Sequence, residues 1–287
     1  MLKNILIIHD ISGFGKCSTS VALPILSSME LATTVLPTSL LSTHTAPIFE
    51  DFTFLDLKDE MPKITNHWRK LGLSFDAIYI GYLGSIEQIQ FLRAELPKLL
   101  KADGKIYLDP VMADDGDFYY GFDLEYAKAM RQLCEIADVI MPNQTEASFL
   151  YNLPYQEGLW NTEQLATFKA AVAENSQASI VLTGAGFDGD GKTGAYYFNR
   201  RSGEEGIVQS EFVGAKYHGT GDIFGSILVG SLENGASLLQ ATTKAVDILP
   251  KIIKHSLTDP NMERNGLQFE DFLGDLSVYA RELKGKK

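Results

Sequence analysis

Short runs of aliphatic and β-branched residues alternate with longer amphipathic stretches along this 287-residue chain. The runs at 5–8, 33–36, 77–80, 105–108, 139–141 and 180–182 are short, apolar and β-branched, the pattern of strands buried on both faces of a parallel sheet. Between them, 18–29, 86–101, 124–136, 144–150 and 162–174 read as helices. That order predicts βα units and an α/β fold. Residues 194–199 and 206–213 predict an antiparallel edge, and from Asp222 onward the chain reads as helical, over 223–232, 238–255 and 269–283.

One segment departs from the alternation. Residues 38–58 mix hydroxyls with aromatic and β-branched residues without a helical period, which predicts a mobile flap over a site. Neither an internal repeat nor a low-complexity linker interrupts the chain, so a single domain over 1–287 is expected.

Composition narrows the function classes. With 45% hydrophobic residues the chain can fill a sizeable core. The net charge of −12 argues against a nucleic-acid binder or a protein of anionic membrane surfaces, because both need a basic face. Cys17 and Cys134 lie far apart without CxxC spacing, which supports neither a disulfide framework nor a thiolate zinc site and makes a reducing, cytoplasmic setting the expectation. The apolar run at the start stops at His9-Asp10 and reads as a strand, not a signal segment, and no run approaches the roughly 20 apolar residues of a membrane span.

Gly186 to Thr193 fits the P-loop expression G-x-x-x-x-G-K-[ST], but the strand-forming Gly194-Ala195-Tyr196-Tyr197-Phe198 follows where a helix is required. A hairpin turn is expected there, and the calcium-loop hint in Asp188-Gly189-Asp190 lacks its later ligands. Ser12-Gly13-Phe14-Gly15 sits between a strand and a helix, where a doubly wound sheet binds ligand or where two glycines merely make a tight turn.

Gly219-Thr220-Gly221-Asp222 is the most informative string. Glycines before a helix leave unpaired N–H groups facing one spot, an anion hole, and the Asp222 carboxylate there could take a proton from a substrate hydroxyl or simply cap its helix. Asp109 and Glu146, at successive strand ends, suit a hydrated Mg²⁺, although either alone could be a cap. The five histidines, His9, His44, His67, His218 and His255, show no zinc spacing.

Taken together, Gly81-Tyr82-Leu83-Gly84-Ser85, Asp109-Pro110-Val111-Met112, Asn143-Gln144-Thr145-Glu146 and His218-Gly219-Thr220-Gly221-Asp222 resemble the ribokinase-like superfamily, in its vitamin B6 kinase branch. Ser42-Thr43-His44-Thr45 looks like a segment those kinases place near the substrate ring. The resemblance implies a three-layer α/β/α fold with a central, mostly parallel sheet and a small flap over the active site. It also implies ATP-dependent phosphorylation of the 5′-hydroxymethyl group of pyridoxal, pyridoxine or pyridoxamine. Asp222 would be the general base, with Gly219, Thr220 and Gly221 stabilising the transferring phosphoryl group. Asp109 and Glu146 would position Mg²⁺, supported by Asn143, with K⁺ a further candidate ion. Asp114 and Thr183 would lie along the phosphate path, Tyr119 near the nucleotide, and His44, Thr45 and Tyr82 around the substrate ring. A homodimer is implied as well.

The segment Asp10-Ile11-Ser12-Gly13-Phe14-Gly15 looks more like hydroxymethylpyrimidine kinases of thiamine synthesis, and His218 leans the same way. An enzyme for that substrate, or for both, is therefore the second expectation. An Asp at position 10 predicts a preference for ligands with amino donors. A non-catalytic vitamer-binding relative is the third expectation, disfavoured because binding alone needs no Asp222, Asp109 and Glu146 together.

Overall fold

The computed structural model describes residues 2–46, 48–156, 158–185, 191–214 and 217–285. In chain order the elements are β1 (Asn4–Phe14), α1 (Thr19–Ser28), β2 (Ala32–Thr43), β3 (Phe54–Asp56), α2 (Met61–Lys70), β4 (Phe75–Ile80), α3 (Ile86–Leu99) and β5 (Leu100–Leu108). A small hairpin, β6 (Ala113–Asp114) and β7 (Asp117–Phe118), is followed by α4 (Leu124–Cys134), β8 (Val139–Ile140), α5 (Gln144–Tyr151), α6 (Thr162–Ala173) and β9 (Ser179–Thr183). Then come β10 (Lys192–Phe198), β11 (Glu205–Glu211), α7 (Thr220–Glu233), α8 (Leu238–Ser256), α9 (Met262–Asn265), a 3₁₀ turn (Glu270–Phe272) and α10 (Leu273–Gly285).

Nine strands form one sheet in the order β11-β10-β9-β8-β5-β4-β1-β2-β3. From β9 to β2 every neighbouring pair is parallel, while β3, β10 and β11 pair antiparallel at the two edges. The chain leaves β1 for β2 on one side and returns to β4 on the other, so the strand order reverses between β1 and β4. Ligands of open α/β sheets bind in the crevice that such a reversal opens at the carboxyl ends of the strands.

Strand periodicity sorts the core into two layers. Ile5, Ile7, Ala77, Tyr79 and Tyr107 pack with apolar residues of α1, α7, α8 and α10. Leu6, Ile8, Ile78, Ile80, Ile106 and Leu108 point the other way, into α3, α4, α5 and α6. Continuing each strand by two residues carries the same alternation into the crevice: His9, Gly81 and Asp109 fall on the α7 face.

The expected flap is smaller than 38–58. Residues 38–43 belong to β2 and 54–56 to β3, with Leu40 opposite Leu55, and Thr38 and Ser39 are fully buried. Their β-branched and apolar side chains extend the sheet edge, which leaves 44–46 and 48–53 outside the strands. The P-loop look-alike lies partly outside the described residues, at 186–190, while Lys192 and Thr193 open strand β10 and not a helix. Among the described residues no helix is long and apolar enough to cross a membrane.

Candidate active site

Helix α7 begins at Gly219, whose φ of 81° is left-handed, and no side chain caps its first turn. The first amides therefore remain free to face an anion. Gly219 is required twice over, by that φ and because a Cβ there would collide with the backbone oxygen of Lys16. A Cβ on Gly221 would lie 3.9 Å from Asp109 Oδ2, which shows how close the end of β5 comes to this turn.

Asp222, in the first turn of α7, does not cap its own helix. Its Oδ2 accepts the backbone N–H of Ser18 at 2.8 Å, and its Oδ1 lies 3.0 Å from His9 Nε2. Ser18 precedes α1 with φ at 57°, an unusual conformation for a non-glycine residue that turns its N–H toward the crevice. His9 bridges onward from Nδ1 to Asp10 Oδ1 at 3.0 Å, and Asp10 Oδ2 accepts the Ser12 hydroxyl at 2.9 Å. Burial opposes charge on His9, but the hydrogen bonds and charges of Asp10 and Asp222 outweigh it and raise the imidazole to about 10. A carboxylate can only accept, so the charged ring donates Nε2–H to Asp222 Oδ1 and Nδ1–H to Asp10 Oδ1.

This chain of contacts revises the reading of Asp10. Its carboxylate is buried, and both oxygens are engaged by His9 and Ser12. The preference expected from Asp10 therefore has no exposed carboxylate behind it.

Gly81 explains how an imidazole fits. A Cβ on Gly81 would fall on the ring of His9, with even the more distant Cε1 only 2.7 Å away. Gly81→Ala is expected to lower stability by about 1–3 kcal/mol, the range for overpacking a filled site. Urea unfolding measures this, and an unchanged midpoint would mean the ring leaves its slot at no cost.

Asp109 and Glu146 are buried at the same edge. Glu146 accepts N–H groups from Asn143 at 2.8 Å and Met112 at 3.2 Å, while Asn143 accepts from the Glu146 N–H in a capping box. The Asp109 carboxylate accepts no hydrogen bond among the described residues. Burial, reinforced by the charge of Asp222, pushes Asp109 up to about 7, and burial with the charge of Asp109 pushes Glu146 well above the carboxylate range. Buried acids that repel one another fit a divalent cation. No three His, Cys, Asp or Glu side chains converge as a cage among the described residues, so an ion here would rely on water and phosphate oxygens.

The raised acid has a consequence for stability. Asp109 prefers its neutral form in the fold, so its ionisation lowers stability progressively as pH rises from near 4 through about 7. Without added metal, Asp109→Asn should melt above the parent at pH 8 and converge with it near pH 4. Thermal melts at both values check this, and parallel curves would reject it.

The remaining expected residues divide. Tyr119 keeps 42% of its surface exposed, and its phenol is pushed up by partial burial and by the charges of Glu146, Asp114, Asp109 and Asp222. Asp114 sits on the β6–β7 hairpin, whose Asp115-Gly116 turn has positive φ at both residues. Asn143 Nδ2 donates to the Ala113 oxygen, and Thr183 bridges to Asn143 across the sheet. Tyr82 is half-buried beside Phe122, with ring centroids 5.7 Å apart. His44 lies 5.2 Å from His218 and 4.8 Å from Phe49, centroid to centroid. Thr45 is exposed beyond it. His9, Ser18 and the steric role of Gly81 were missed from sequence; the signal available was the period of β1, which places His9 on the face of Ile5 and Ile7.

A three-layer α/β/α sandwich with an uncapped helix start at the strand reversal defines a ribokinase-like protein. A family model described as phosphomethylpyrimidine kinase matches residues 67–265, and the chain belongs to that family. The pyridoxine kinase of Bacillus subtilis is 27% identical over 188 residues, covering 64% of this chain and 66% of that protein. The hydroxymethylpyrimidine/phosphomethylpyrimidine kinase of Haemophilus influenzae is 29% identical over 183 residues, covering 62% and 65%. The chain thus spans just under two thirds of the length of these curated relatives. Pyridoxal kinase from Lactobacillus plantarum matches with a TM-score of 0.89 and 31% identity, over 98% of this chain and 99% of that one. A Bacteroides thetaiotaomicron protein, provisionally described as a phosphomethylpyrimidine kinase and crystallised with pyridoxal, matches with a TM-score of 0.90 and 39% identity, over 96% of each chain.

Proposed function

We propose that this protein phosphorylates the 5′-hydroxymethyl group of a vitamin B6 vitamer with ATP. The observation that carries the reading is Asp222, whose carboxylate is held by His9 and the Ser18 N–H at the uncapped start of α7. A base beside an anion hole is what hydroxyl phosphorylation requires, since phosphoryl transfer depends on positioning and charge stabilisation. Asp222 takes the hydroxyl proton as the oxygen attacks the γ-phosphorus, ADP leaves, and the amides of the Gly219–Thr220–Gly221 turn stabilise the charge on the transferring group. Asp109 and, through water, Glu146 would hold Mg²⁺, which when bound neutralises phosphate charge. Tyr119 and Asp114 border the nucleotide side; Tyr82 and His44 border the substrate ring.

The family match and the Haemophilus influenzae relative favour a second substrate class, a hydroxymethylpyrimidine. Coupled ADP-release assays on pyridoxal, pyridoxine, pyridoxamine and hydroxymethylpyrimidine with Mg²⁺ test both. Vitamer binding by thermal shift without any ADP release would establish a binding protein instead.

The connection between β2 and β3 closes over the bound substrate in this reading, because a kinase must exclude water from its phosphoryl donor. Ile48 and Phe14 are exposed at this entrance, where Phe14 meets Phe49. Limited proteolysis should cut this loop several-fold more slowly with ATP and substrate present; equal rates would remove the closure step.

A further inference from the structure

We propose that His9 is the positioning residue for the base, a buried strut that transmits the fixed geometry of strand β1 to the carboxylate of Asp222. This inference rests on the reading of Asp222 as proton acceptor. Three observations carry it.

First, the ring cannot turn. Its side chain is 2% exposed, it lies across the bare Cα of Gly81, and its Nδ1 end is tied to Asp10, itself tied to Ser12. Second, an imidazole is rigid, with its two nitrogens pointing in diverging directions, so anchoring Nδ1 sets where Nε2 points. Nε2 points at Asp222 Oδ1, 3.0 Å away. Third, the other oxygen is held independently by the Ser18 N–H at 2.8 Å. Two bonds from two elements, β1 and the start of α1, hold the carboxylate in one orientation while 13% of its side chain stays exposed. Displacements of about 1 Å at such a group cost on the order of 10²-fold in rate.

A purely structural tie between β1 and α7 would use the same contacts, so the test must separate the two ends of the ring. His9→Asn keeps an amide where Nδ1 stands, able to meet Asp10, and loses the contact to Asp222. His9→Gln reaches the place of Nε2 and restores it. The expected result is a fall in kcat on the order of 10² in H9N, with most of it recovered in H9Q and KM changed less than about threefold in both. Equal kcat in the two variants, or an H9N defect confined to KM, overturns the proposal.

A second measurement needs neither substrate nor a stable His9 variant. In histidine-¹⁵N spectra of the ligand-free protein, His9 should show an Nε2–H signal protected from exchange that shifts in Asp222→Asn and persists in Ser12→Ala. An Nε2–H signal indifferent to Asp222→Asn overturns the proposal. If the parent protein phosphorylates none of the four substrates, the functional reading fails by itself, and the spectra alone decide the role of His9.

Discussion

Asp222→Ala is expected to lower turnover by about 10²- to 10⁴-fold, the contribution of a positioned acid or base, with little change in nucleotide affinity. The carboxylate sits among partners that hold it without consuming it, His9 on one oxygen and Ser18 N–H on the other. Its removal leaves the imidazole facing a void and the hydroxyl of the substrate without an acceptor. The fold should survive, because Asp222 does not cap α7 and the apolar face behind it, Ile223, Ile227 and Leu228, is untouched. Steady-state kinetics with nucleotide titration make the check, and turnover within a few-fold of the parent would remove Asp222 from the chemistry.

Gly219→Ala should be nearly as damaging by a different route. Alanine at a φ of 81° costs roughly 1–2 kcal/mol, and the added methyl meets the carbonyl of Lys16, a backbone atom that cannot rotate away. The helix start must then shift, carrying its amides off the phosphoryl position. Loss of one such donor typically costs about 10²- to 10³-fold in kcat. Gly221→Ala supplies the comparison, since its Cβ would meet nothing nearer than 3.9 Å. It should leave stability within about 0.5 kcal/mol of the parent. Urea unfolding of both variants separates the cases, and equal stabilities would mean that the turn at Gly219 yields freely.

Much of this site is visible in residue order. Gly219 to Asp222 announced a helix start with free amides, and the alternation of β and α segments placed Asp109, Asn143 and Glu146 at strand ends, where they stand. The edge hairpin of β10 and β11 was equally readable, because Tyr196, Tyr197 and Phe198 favour a strand over a phosphate-binding helix. Residues 38–58 were harder: a strand that continues along a sheet edge and a mobile loop can share hydroxyl-rich composition. Helix α2 was overlooked because it is short and largely polar, with only Met61 and Thr65 buried.

No local pattern distinguishes His9. In sequence it is one of five histidines without motif spacing, separated from Asp222 by 213 positions. Asp10 misled for the same reason: a carboxylate at a strand end looks available until its neighbours are known.

The sequence by itself determined the layering of the α/β/α sandwich, the strand ends at which Asp109 and Asn143 stand and the turn that opens α7 without a side-chain cap, because periodicity and local turn chemistry act over a few residues. The tertiary structure alone decided that the bare face of Gly81 admits the ring of His9, that this ring joins Asp10 to Asp222, and that Asp109 shares a buried edge with Glu146. Those facts depend on which strands become neighbours when the chain reverses between β1 and β4, a long-range packing result that no local pattern encodes.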